Sequence, residues 1–173
     1  MSAVRIACVA ETPEHLPAIA QAHLQAFGAL LPDWNFDEAL SELRSHTRDG
    51  VIPTSWVALD QTQWLGSVSL LENDDARIRQ WSPWLASLYV QPQARGQGIG
   101  EALVAHCVQA AARLGVPLCV QAAARLGVPL LYLYCQPALA PFYQRLGWRT
   151  HTEFLLGPMQ IVVMCIAPGV ATQ

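Results

Sequence analysis

Residues 88–103 read LYVQPQARGQGIGEAL, and the order of parts in this stretch decides the fold. An apolar run stops at Gln91-Pro92. Three glycines, Gly96, Gly98 and Gly100, then open a segment of helix-forming composition. Glycines remove Cβ atoms where backbone N–H groups must approach a ligand closely. The N–H groups at the start of a helix have no partner within it, and the helix dipole adds positive character there. A strand, a glycine turn and a helix in this order make a cradle for a pyrophosphate. Arg95 adds a cation at its edge. The turn is not a P-loop, because no Lys-Ser or Lys-Thr follows. A dinucleotide fingerprint would follow the first strand and carry an acid about twenty residues on. This one follows the fourth predicted strand, and position 121 is Gln.

Outward from the turn, the pattern alternates between short apolar runs and amphipathic segments. Residues 4–10 predict a first strand. Thr12 is placed to cap a helix with Pro13 at its first position, and Leu16, Ile19, Ala20, His23, Leu24 and Phe27 recur at helical spacing. A second helix is expected over 36–48. Strands are expected at 55–60 and 63–71, then a polar loop at 72–80 and a strand at 84–90. The helix at 98–114 presents Ile99, Leu103, His106 or Cys107, and Ala110 on one face. A strand at 130–135, a helix at 138–146 ended by Gly147, and strands at 148–154 and 159–166 complete the series. The order is β-α-α-β-β-β-α-β-α-β-β, which is mixed α/β with one right-handed crossover through the helix at 98–114.

Composition narrows the classes. The chain has 173 residues, 53% hydrophobic and 13% charged, which excludes a mainly disordered chain and predicts a single domain over 1–173. Its net charge of −3 argues against a nucleic-acid partner. All ten cationic side chains are Arg. The five cysteines, Cys8, Cys107, Cys119, Cys135 and Cys165, have no CxxC spacing, so no metal site is indicated. Their odd count fits reduced thiols in a cytoplasm. No stretch is long enough to span a membrane, so none is expected as a partner.

The glycine turn is followed, some forty residues later, by FYQRLGW, Phe142 to Trp148. Arg95-x-x-Gly98-x-Gly100 together with Phe142-Tyr143-x-x-x-Gly147-Trp148 resembles the GCN5-related N-acetyltransferase (GNAT) superfamily. The likeness covers nearly the whole chain in element order. It implies a mostly antiparallel central sheet with a splayed parallel strand pair and flanking helices. It also implies acetyl-CoA as co-substrate and direct transfer of acetyl to an amine. By this resemblance Gly96, Gln97, Gly98, Ile99 and Gly100 bind the pyrophosphate through their N–H groups. Val90 pairs its backbone with the pantetheine arm, and an N–H around Leu88 to Val90 polarises the thioester carbonyl. Tyr143 matches the family's usual general acid, which protonates the leaving thiolate. Many members carry Asn seven residues before this tyrosine; here Gln136 stands there, with a longer side chain.

A base must remove the proton of an ammonium acceptor. The strand at 84–90 holds no carboxylate, so Glu72 is the candidate, with Asp74 and Asp75 read as a solvated turn. His151 and Glu153 are alternatives on a closing strand. Trp34, Trp81 and Trp84 either wall an acceptor pocket or plug the core, and Arg77 and Arg79 read as solvated. The expected acceptor is a small amine. The alternatives are a CoA-binding sensor without turnover, or an enzyme acting on proteins or peptides.

One feature departs from the family path. Residues 107–118 read CVQAAARLGVPL, and residues 119–130 repeat them without change. Each copy carries Gly-Val-Pro, and a proline inside a helix costs about 3 kcal/mol. A break at Gly115–Pro117 is therefore expected, with a short helical turn over 119–126. The second copy would lie away from the cofactor, as a neutral duplication or as a segment exchanged in a homodimer.

Overall fold

In this computed structural model, residues 4–114 and 130–168 are described. The break expected at Gly115–Pro117 and the turn over 119–126 lie outside them. Seven strands form one sheet in the order β1-β2-β3-β4-β5-β7-β6. They are β1 (Arg5–Cys8), β2 (Thr54–Asp60), β3 (Gln63–Leu71), β4 (Trp84–Val90), β5 (Leu131–Cys135), β6 (Arg149–Leu156) and β7 (Met159–Ile166). The helices are α1 (Leu16–Phe27), α2 (Phe36–Ser45), α3 (Ile99–Arg113) and α4 (Ala140–Arg145). The β4–β5 pair is parallel, through Trp84 and Tyr132, while the β1–β2, β2–β3, β5–β7 and β6–β7 pairs are antiparallel.

The chain groups into two compact units, and β4 is divided between them after Ala86. The first holds β1, α1, α2, β2, nearly all of β3, the end of β4 and the start of α3. Val57 and Leu59 of β2 face Leu16, Ile19 and Ala20 of α1 and Ala39, Leu40 and Leu43 of α2 in one core, with Trp34 packed against it. The apolar stripe of α1 is thus the one its spacing predicts. A capping box starts α2: Glu38 N–H donates to Asn35 Oδ1 at 3.1 Å, and Asn35 N–H donates to Glu38 Oε2 at 3.3 Å. Ile99, Leu103 and Ala110 of the predicted α3 stripe are buried, and of the two residues open for its third position Cys107 is the buried one.

The second unit holds the start of β4, then β5, α4, β6 and β7. Its core is Ile78, Trp84, Leu156, Ile161 and Val163, with Trp81, Tyr132, Tyr134 and Phe154 packed on it. Trp84 is fully buried, so of the two uses open to it, it plugs the core.

The structure departs from the sequence reading in several places. β1 stops at Cys8, because Glu11 accepts from Cys8 N–H and bends residues 9–11 into a 3-10 turn. Thr12 does not cap α1: a second turn over Pro13–His15 intervenes, and Thr12 Oγ1 is buried without a hydrogen-bond partner among the described residues. α2 ends at Ser45, where His46 turns inward and is buried. Asp75 is not solvated. It is buried and holds Arg77 by two side-chain hydrogen bonds, 2.9 Å from Nε and 2.6 Å from Nη2. That pairing keeps the Asp75 carboxyl below its usual range. Among the described residues no helix is long and apolar enough to cross a membrane.

Candidate functional site

In the first unit the site is built on the end of β4. Ser87 has φ +52°, a left-handed turn inside a strand that sequence reasoning missed. No glycine marks it, so nothing in the local pattern announces it. Beyond Ser87, the half-buried stretch Leu88–Val90 passes close to β3 at Gly66. A Cβ on Gly66 would lie 2.6 Å from the Tyr89 carbonyl oxygen and 3.3 Å from Val90 Cα. Only hydrogen fits there. Gln91 fastens the end of the strand: its N–H donates to Leu65 O at 2.8 Å and its Nε2 to Trp64 O at 2.7 Å.

The glycine turn follows a 3-10 turn at Pro92–Ala94. Gly96 and Gly98 have φ of +72° and +79°, values that side-chain-bearing residues rarely adopt. Open space surrounds the position of a Cβ at both. The first backbone bond of the following helix runs from Ala102 N–H to Gly98 O at 3.0 Å. The N–H groups of Gly96, Gln97, Gly98, Ile99 and Gly100 meet no acceptor among the described residues. Successive unpaired N–H groups at the start of a helix fit a phosphate group. Arg95 is exposed, and its Nε folds back to donate to Val90 O at 3.0 Å.

In the second unit, Tyr143 lies on α4, a short helix closed by Gly147 at φ +90°. Trp148 N–H returns to Tyr143 O at 3.1 Å. The Tyr143 ring packs edge-on against Phe142 and Trp148, with centroids 5.0 and 6.2 Å away. The ring is buried, yet its hydroxyl meets no hydrogen-bond partner among the described residues and is not sealed off. Burial, with Cys135 nearby, pushes the phenol upward, so it stays protonated at neutral pH. Gln136 follows β5, is exposed, and reaches Met159 Sδ at 3.8 Å. Glu72 follows β3 with its side chain exposed, while its backbone carbonyl accepts from Ser82 Oγ at 2.7 Å.

The structure therefore gathers Leu88, Val90 and Arg95 to Gly100 in the first unit, and Glu72, Gln136 and Tyr143 in the second. His151 and Glu153 are exposed on β6, and the His151 ring sits edge-on to Trp81 and Tyr132.

The sequence model of the acetyltransferase (GNAT) domain matches residues 53–150, more than half of the chain. No curated protein matches it. Among solved structures, an acyl-CoA N-acyltransferase from Pseudomonas aeruginosa has a TM-score of 0.63 at 22% identity, over 96% of this chain and 100% of that one. An aminoglycoside 6'-N-acetyltransferase complexed with coenzyme A has a TM-score of 0.70 at 13% identity, over 98% and 99%. YncA from Salmonella typhimurium, with its cofactor acetyl-CoA, has a TM-score of 0.68 at 14% identity, over 99% and 98%. The structural likeness carries the fold, the family match covers the glycine turn and the tyrosine helix alike, and the chain belongs to the GNAT acetyltransferase family.

Proposed function

We propose that this single-domain protein is a cytoplasmic N-acetyltransferase that moves acetyl from acetyl-CoA to the amine of a small molecule. The observation that carries the reading is the run of unpaired N–H groups from Gly96 to Gly100, in a turn that two left-handed glycines keep open. It supports pyrophosphate binding there. Acetyl-CoA supplies the activated thioester. In this reading Glu72 accepts the proton of the ammonium, directly or through water. A backbone N–H between Leu88 and Val90 donates to the thioester oxygen. Tyr143 delivers its proton to the departing sulfur, a role its protonated hydroxyl suits, and the second proton lost by the attacking nitrogen as the amide forms restores the phenol. Gln136 steadies the pantetheine arm by its amide.

The test is release of free thiol from acetyl-CoA over a panel of small amines and peptides. Turnover with small amines is expected. Tight acetyl-CoA binding with no release for any acceptor would replace this reading by a sensor. Release only with peptides would move the acceptor class to proteins.

A further inference from the structure

The first unit contains a cavity of about 450 Å³ that the acetyl-transfer reading does not use. Its walls are mostly apolar, with Val9, Leu16, Pro17 and Leu43 among them, and Arg44 and His46 join the lining. It lies beside the end of β1, where Cys8 pairs with Trp56 at the start of β2. Gln91, which leads into the glycine turn, is fastened to Leu65 of β3. Ser69, whose hydroxyl pairs with Ser55, is four residues, about 13 Å, further along β3.

His46 is 3% exposed, and its ring starts a buried chain of hydroxyls. Nδ1 lies 2.7 Å from Ser55 Oγ, which lies 2.6 Å from Ser69 Oγ. The direction of this chain follows from counting protons. If Nδ1 donated, the Ser55 proton would pass to Ser69, and the Ser69 proton would have no acceptor among the described residues. If Ser69 donates to Ser55 and Ser55 to Nδ1, every hydroxyl proton is used. The ring proton then sits on Nε2, the nitrogen left for the cavity. Nε2 has no partner among the described residues. Arg44 likewise has no carboxylate partner among them. A donor and a cation at the edge of an apolar hollow call for an oxygen anion with a hydrocarbon body.

We infer that this cavity is a second ligand site, which takes a small carboxylate with an apolar tail, its carboxylate on Arg44 and His46 Nε2. The site is separate from the cofactor turn.

The test titrates sodium octanoate into the full chain by calorimetry, with and without saturating acetyl-CoA, and follows the His46 side-chain nitrogens by NMR. Saturable binding that moves the Nε2 signal is expected, with acetyl-CoA leaving octanoate affinity unchanged. Arg44→Gln, an exposed change, should weaken octanoate about tenfold, the loss of one charge-assisted hydrogen bond, and leave acetyl-CoA binding intact. Absence of octanoate binding, equal binding by Arg44→Gln, an unmoved Nε2 signal or displacement by acetyl-CoA would each overturn the assignment. None of these outcomes depends on turnover, so failure of the acetyl-transfer reading would be seen separately.

Discussion

At the scale of single residues, Tyr143 carries the sharpest expectation. Its ring is held by Phe142 and Trp148, so removing the hydroxyl leaves the packing in place. Tyr143→Phe should lower kcat about a hundredfold or more, with acetyl-CoA affinity retained in a direct binding assay. An unchanged kcat would return the hydroxyl to a packing role. Glu72 is exposed and, among the described residues, accepts from Ser82 through its backbone carbonyl alone, so Glu72→Gln should keep the fold and lose rate at low pH, where the acceptor amine is protonated. Steady-state rates across pH 6 to 9 check this. Asp75 shows why one residue was misread. Its pairing with Arg77 spans two positions in a polar run, and such a run looks like solvent-facing loop until the turn at Ala76–Ile78 closes it.

Among the elements, β4 depends on its neighbour having no side chain at Gly66. Gly66→Ala would press a Cβ on the Tyr89 carbonyl, and backbone cannot swing aside as a side-chain tip does. The variant should lose about 1–3 kcal/mol of stability and bind acetyl-CoA more weakly, read by thermal melting and calorimetry. The glycine turn, the α3 stripe and the stop at Gly147 were legible because each is a short-range signal: special dihedrals or a 3.6-residue period. Ser87 and the Gly66 approach were not, because each depends on what the rest of the sheet requires. The cap expected at Thr12 failed for the same reason, as Glu11 had already turned the chain.

For the molecule as a whole, two buried histidines set its response to acid. His23 shares a hydrogen bond of 2.9 Å with Ser67 Oγ, and His46 with Ser55. Burial lowers both to about 4, and for His23 the nearness of His46 adds to the effect. The unfolded chain takes up protons at about pH 6.5 that the folded chain refuses. Stability is therefore undiminished above pH 6.5 and falls as pH drops from 6.5 toward 4, by about 2–3 kcal/mol for each group. Asp75 acts lower, since its pairing with Arg77 is lost only below its ordinary value of 3.8. Urea unfolding at pH 7.5, 5.5 and 4.5 should show the decline, and His46→Gln should flatten it. No sequence pattern predicts this behaviour: the partner serines of His23 and His46 lie on strands 44 and 9 residues away along the chain.

The cysteines have a practical bearing on all of this. Cys8, Cys107, Cys135 and Cys165 are free and buried. Burial raises Cys107 and Cys165, and lifts Cys135 to about 11. At pH 8 these last three are almost entirely thiols, and the reagents that colour with free sulfhydryls attack thiolates. These four positions should stay dark to such a reagent while the protein is folded and turn reactive when it unfolds. The same dye would then count each coenzyme A set free in turnover and, in a denatured aliquot, the protein that did the work.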